Sequence, residues 1–209
     1  MPKLLTVFGA TGNQGGSVIR AVLADSVLFK EFTVRGITRN ASKPAAKDLA
    51  SKGVEIKTAD LSSTESVAAA IAGSHSVFLV TSPDFFNPGA SQELAYGKTV
   101  ADAAAAANVQ HLIYSSLLHV TNETAGRLTH VVHFDQMADV EAYIRAKSIP
   151  STFILPGYFM SNYTVSQMLR KGPDGTCCNA GSDLAAGIAI AANSNHDTSF
   201  NLGGRRPLP

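Results

Sequence analysis

A chain of 209 residues has room for one domain and little more, since domains commonly take about 100–200 residues. Hydrophobic residues make up 45% and charged residues 16%, which supports a buried core and excludes a charge-rich disordered protein. The formal net charge of +1 leaves no global field for nucleic acid or an anionic membrane, and 10 Phe, 5 Tyr and no Trp argue against a stacking platform for single strands.

Residues 4–8 are an apolar run stopped by Gly9, and predict a buried strand that follows Met-Pro-Lys with no secretory apolar region before it. Within 13–26, Val18, Ile19, Val22 and Leu23 lie at helical spacing. A second strand is expected over 32–38, a helix over 43–52, and a third strand over 54–58. A helix over 60–72 follows, with Ser62 or Ser63 as its cap and Glu65 placed as in a capping box. Residues 76–81 read as a strand, 92–107 as an Ala-rich helix, 111–115 as a strand, 133–147 as a helix and 152–155 as a sixth strand. Strands alternate with helices throughout, and each strand is read as apolar on both faces. The expected class is α/β, a doubly wound parallel sheet with helices on both sides.

Beyond about residue 170 the pattern degrades into a turn cluster at 172–175, an Ala/Ile-rich helix over 184–192 and a short strand over 199–202. The expected division is a nucleotide-binding domain at 1–170 and a short degenerate segment at 171–209. Cys177 and Cys178 are adjacent, so no disulfide framework is expected. The uncharged apolar stretch 66–83 is broken by Gly73, Ser74, His75 and Ser76 and does not span a bilayer. The Asn-x-Ser/Thr matches at Asn40, Asn122 and Asn162 are then chance. A soluble chain of the cytoplasm, extending to the nucleus, is expected.

Gly9-Ala10-Thr11-Gly12-Asn13-Gln14-Gly15-Gly16 follows the first strand and opens the first helix. In that setting Gly9 permits a tight turn, Gly12 lets a pyrophosphate approach the backbone, and Gly15 lets helix and strand pack closely. The helix N-terminus offers N–H groups and a positive dipole end to phosphates; the plain alternative is a tight turn without a ligand. NAD sites carry an acid at the end of the second strand, but here that end reads Ile37-Thr38-Arg39-Asn40, with Lys43 following. A guanidinium forks onto a 2′-phosphate, so NADP(H) is favoured over NAD(H), the alternative being two solvated cations.

The loop, the Thr-Arg-Asn-x-Ser-Lys run, His133-Phe134-Asp135 and Pro156-Gly157-Tyr158-Phe159 together resemble the NmrA-like proteins, atypical members of the short-chain dehydrogenase/reductase superfamily. The resemblance covers roughly 3–170. It implies a Rossmann fold binding NADP(H), either in a redox-sensing regulator without turnover or in an NADPH-dependent reductase. It also implies dinucleotide contacts from Gly9, Ala10, Thr11, Gly12, Asn13 and Gln14, from Arg39, Asn40 and Lys43, and from Asp60 and Leu61. Thr81, Ser82, Lys98, Tyr158, Phe159 and Asn162 complete the implied set.

Reductases of the superfamily use a Tyr-x-x-x-Lys pair on the helix after the fifth strand, the Lys tuning the Tyr as proton donor. The family register puts His133 at the Tyr position and Met137 at the Lys position, and an apolar Met does neither of the Lys's jobs. Ser116 and His133 are the weak catalytic candidates, with Ser115 and Ser116 equally readable as strand-end serines bonding local backbone. Tyr143-Ile144-Arg145-Ala146-Lys147 matches the pair literally, but lies about 15 Å along the helix from His133 and reads as packing plus a helix-end charge. His130 and His133 lack the partners of a metal set, and Asp135 and Glu141 read as ordinary helix charges. The resemblance fades near Gly175, whereas family members are usually much longer, so an open cleft over the nicotinamide is expected. The favoured expectation is therefore an NADP(H)-binding regulator or redox sensor acting through a protein partner, without turnover. The alternatives are an NADPH-dependent oxidoreductase in secondary metabolism and a truncated product of low stability.

Overall fold

The computed structural model describes residues 2–82, 92–157, 159, 169–171 and 177–179. The chain divides into two compact units, 1–156 and 157–209, against a boundary expected after residue 170.

In the first unit, β1 (Lys3–Phe8), α1 (Asn13–Ala24), β2 (Phe32–Thr38), α3 (Pro44–Ser51), β3 (Glu55–Thr58), α4 (Thr64–Ile71) and β4 (Ser76–Leu79) alternate as expected. They are followed by α5 (Glu93–Ala106), β5 (His111–Ser115), α7 (Val132–Arg145) and β6 (Ser151–Ile154). The six strands form one sheet in the order β3-β2-β1-β4-β5-β6, and every pair is parallel. This is the doubly wound Rossmann arrangement, with its reversal point between β1 and β4.

Two buried clusters flank the sheet. Ile19, Val22 and Leu49 of α1 and α3 pack with Leu5, Val7 and Val34 on one side. Val67, Val100 and Val140 of α4, α5 and α7 pack with Phe8, Leu79 and Leu112 on the other. Only the interior strands are covered on both faces. β3 and β6 are edge strands with no fully buried residue, which corrects the expectation that every strand is apolar on both sides. Arg35 on β2 is buried beneath α4, where its guanidinium donates to the carbonyls of Ala70 and Ala72 at 2.9 and 2.8 Å. It thus satisfies carbonyls that the helix end leaves open. At Gly97 of α5, an added Cβ would lie 2.4 Å from Val140 Cγ2, so α5 and α7 meet with no room for a side chain.

Several boundaries differ for local reasons. The α4 helix starts at Thr64 rather than residue 60, because Asp60 Oδ1 accepts from the Ser62 N–H and hydroxyl in a turn. Ser63, not a Ser62–Glu65 box, caps the helix by accepting from Ser66 N at 3.1 Å. Two single-turn helices, α2 (Leu28–Glu31) and α6 (Val120–Glu123), were not expected. They are too short to show a hydrophobic period. In the second unit, β7 (Leu169–Lys171) and β8 (Cys177–Asn179) pair antiparallel, on either side of the expected turn cluster. The helix expected over 184–192 and the strand over 199–202 lie outside the described residues.

Candidate dinucleotide site and the edge beside it

The carboxyl ends of β1 to β5 gather most of the residues singled out above. Gly9 follows β1 with φ +67°, and an added Cβ would meet Val80 Cγ1 at 3.0 Å; glycine is required here both by conformation and by the closeness of the strand end next door. Gly12 is the N-cap of α1 in extended conformation, with no side-chain cap. Its N–H donates to Gly9 O at 2.9 Å, and Gly16 N donates to Gly12 O at 2.9 Å. The N–H groups of Asn13, Gln14 and Gly15 have no backbone acceptor among the described residues, which is the arrangement that receives a phosphate. Gly15 is buried, and a Cβ there would lie 2.4 Å from Gly9 O, so α1 rests directly on the loop. Ala10 is buried while Thr11 is exposed.

After β2, Arg39 and Lys43 are exposed, and no ion pair engages either among the described residues. Asn40 Oδ1 accepts from Ser42 N and Oγ at 2.8 and 2.7 Å, fixing the turn that leads to Lys43, the N-cap residue of α3. After β3, Asp60 is exposed and held below the usual carboxylate range by the Ser62 hydroxyl and N–H, while Leu61 packs against the core. After β4, Thr81 is buried and donates to Glu93 Oε1 at 2.6 Å, with Tyr114 Oη 3.2 Å away; Ser82 is exposed. Burial raises both the Glu93 carboxyl and the Tyr114 hydroxyl above their ordinary pKa values.

Lys98 is not brought to this group. Its ammonium lies 5.2 Å from the centre of the Tyr143 ring, between α5 and α7. There Tyr143 Oη donates to Asp102 Oδ1 at 2.9 Å and Lys147 pairs with the same oxygen at 2.6 Å. The literal Tyr-x-x-x-Lys is thus an interhelical clasp. Phe159 is exposed and belongs to the second unit. Tyr158 and Asn162 lie outside the described residues.

At the end of β5, Ser115 and Ser116 are fully buried, and Ser116 Oγ donates to Leu117 O at 3.3 Å, the local bonding that was the plainer reading. His133 is half-buried, with its ring 4.8 Å from the Phe134 ring, and burial pushes its pKa down against the opposing pull of Asp135. Met137 is buried at 5% exposure. Asp135 is more than the helix charge it was read as. It accepts from Thr121 N at 3.1 Å and from the Thr121 hydroxyl, and pairs with His119 Nδ1 at 3.1 Å. No sequence motif announces this group, because its members come from two separate helices, α6 with its N-cap and α7; the weak signal was a histidine four residues beyond a strand end. Glu141 does behave as read, pairing with Arg145 one turn on.

The whole of residues 1–180 matches the NmrA-like family. The chain belongs to the NmrA-like family. Among curated NmrA-like relatives, the domain-containing oxidoreductase ptmS of Penicillium ochrochloron is 36% identical over 170 residues, covering 79% of this chain and 50% of the relative. The oxidoreductase malD of Malbranchea aurantiaca is 38% identical over 173 residues, covering 81% and 51%. The chain therefore spans about half the length of the curated relatives it matches. Among solved structures, Nmra, a negative transcriptional regulator, superposes with TM-score 0.70 at 28% identity, covering 85% of this chain and 53% of that one. The Citrobacter sp. triphenylmethane reductase complexed with NADP(H) gives 0.61 at 26% identity, covering 76% and 51%.

This NmrA-like chain fits a dinucleotide by its own geometry: an uncapped α1 N-terminus, a loop where Gly15 leaves no space for a Cβ, and exposed cations after β2. Among the described residues, no cluster of His, Cys, Asp and Glu is arranged for a metal, and no helix is long and apolar enough to cross a membrane.

Proposed function

We propose that this chain carries the NADP(H)-binding region of an NmrA-like oxidoreductase. The observation that carries the cofactor reading is the end of β2, where Arg39 stands exposed without an ion pair among the described residues and no acid replaces it. Gly9 to Gln14 would hold the pyrophosphate, Arg39, Asn40 and Lys43 the 2′-phosphate side, and Asp60, Leu61, Thr81 and Ser82 the remaining strand-end contacts. When bound, the reduced cofactor supplies a hydride. The chain's residues supply binding, orientation and a proton. Support for turnover comes from the relatives named oxidoreductases at 36% and 38% identity and from the imidazole–carboxylate pair at the β5 edge. Secondary metabolism is the setting we assign to such a reductase.

A second reading is favoured by Met137. A buried apolar side chain where a reductase keeps Lys suits a redox-sensing regulator that acts through a protein partner, and the likeness to a negative transcriptional regulator agrees with it. Steady-state absorbance of NADPH with menadione as acceptor decides between them. Oxidation that depends on protein concentration supports the reductase. Absence of turnover, together with tighter binding of one redox form, supports the sensor.

A further inference from the structure

We propose that His119, oriented by Asp135, is the proton donor of this oxidoreductase, an inference that rests on the reductase reading above. His119 closes the loop after β5 and is the N-cap residue of α6, while Asp135 sits in the first turn of α7. Both therefore lie at the carboxyl edge of the sheet, where α/β proteins place their chemistry. The two side chains are 26% and 16% exposed, which keeps the pair reachable yet partly shielded from screening. Asp135 is itself fixed by the Thr121 N–H and hydroxyl, so it can set the imidazole's orientation.

His119 Nδ1 faces two groups that ask for opposite protonation states. Asn122 N donates towards it at 3.3 Å, which needs a bare nitrogen, and the Asp135 carboxylate lies at 3.1 Å, which needs an N–H. Donation to a charged carboxylate is the stronger bond, and it leaves Nε2 as the nitrogen that exchanges a proton. Nε2 is 3.7 Å from Asp139 Oδ1, beyond hydrogen-bond distance, and Asp139 is 49% exposed. Among the described residues, Asp135 and Asp139 are the charged groups that face the ring. Of the two catalytic candidates read from the sequence at this edge, Ser116 is fully buried and bonded locally, and His133 packs its half-buried ring against Phe134.

In the step assigned to His119, a hydride adds to the carbonyl carbon of an aldehyde or ketone acceptor, or to one oxygen of a quinone, whose ring passes the electron pair to the second oxygen. The carbonyl π pair moves onto oxygen, the Nε2–H bond breaks, and an O–H bond forms. The imidazolium becomes neutral imidazole, keeping its proton on Nδ1 towards Asp135, and regains a proton from water. The oxidised cofactor and an alcohol or hydroquinone result.

The test uses the full chain with NADPH and menadione, and the ligand-free chain in histidine nitrogen NMR. His119→Asn retains an oxygen that caps α6 but has no acid. Its melting temperature and NADPH affinity should stay at the parent values, while turnover falls by about 100-fold or more. In the ligand-free parent, neutral His119 should be the Nδ1–H tautomer, and Asp135→Asn should move it towards Nε2–H. An Nε2–H tautomer in the parent overturns the proposal. So does turnover in His119→Asn within a few fold of the parent; in that case the reductase reading stands and only the donor falls. A parent chain that does not oxidise NADPH removes the reductase reading, and the donor role with it.

Discussion

Substituting Gly15 by alanine tests the packing of the phosphate loop against its helix. An added Cβ would lie 2.4 Å from Gly9 O, 2.7 Å from Gly9 C and 2.9 Å from Phe8 O. All three are backbone atoms, so no side chain can swing aside. The closest approach is about 1 Å short of ordinary contact, and α1 must move off the loop to relieve it. Overpacking of this kind costs about 1–3 kcal/mol, offset by up to about 1 kcal/mol because alanine is the better helix former. For a chain of this size each kcal/mol moves the melting temperature by about 2–4 °C, so a fall of several degrees in thermal unfolding is expected, with weaker dinucleotide binding. Gly12 is the control. Its backbone is extended and an added Cβ would sit 3.2 Å from Gly9 O, a tight contact that a shift of a few tenths of an ångström relieves, against the 2.4 Å clash at Gly15. Gly12→Val should therefore keep most of the stability and lose dinucleotide binding, because the side chain projects where a pyrophosphate approaches. A Gly15→Ala chain as stable as the parent would refute the geometry on which the loop assignment depends.

Arg39→Asp should reverse the cofactor preference, since a charge-assisted bond to phosphate is worth about 1.5–3 kcal/mol; titration calorimetry with NADPH and NADH reads this, and an unchanged ratio would remove Arg39 from the site. Gly97→Ala should destabilise the fold by about 1–3 kcal/mol without touching cofactor affinity relative to folded protein, because its Cβ would strike Val140 between α5 and α7; urea unfolding measures it. Burial raises the Glu93 carboxyl above its ordinary value of 4.5, against the lowering effect of the Thr81 hydrogen bond. The folded state then binds this proton more tightly than the unfolded chain, so this contribution to stability declines as pH rises above about 4.5 and levels off once the folded group ionises. Glu93→Gln stays neutral and should flatten that segment of the stability–pH curve; an unaltered curve would contradict the assigned shift.

The alternation of apolar runs and 3.6-period segments made the six-stranded parallel sheet and its five crossover helices legible, because each interior strand is buried by a helix whose own stripe is visible in the sequence. Residues 9–16 were legible for the same reason: the glycines sit where a strand ends and a helix starts. The Ser62–Glu65 box was misread because the Asp60 turn postpones the helix by one residue beyond Ser62, a competition between side-chain and helical hydrogen bonds that spacing does not reveal. Lys98 and the Tyr143–Lys147 pair illustrate a further limit. A helix has faces, and only packing showed that both point into the contact between α5 and α7. The pairing of His119 with Asp135 escaped notice because groups drawn together from α6 and α7 have no period to betray them.

The most direct test of the cofactor assignment is titration calorimetry of the unsubstituted chain with NADPH and with NADH under the same conditions. A preference for NADPH of tenfold or more is expected, as the phosphate contact is worth at least about 1.5 kcal/mol. Equal affinities for the two dinucleotides, or binding of neither, would contradict the assignment of the loop and Arg39 as an NADP(H) site.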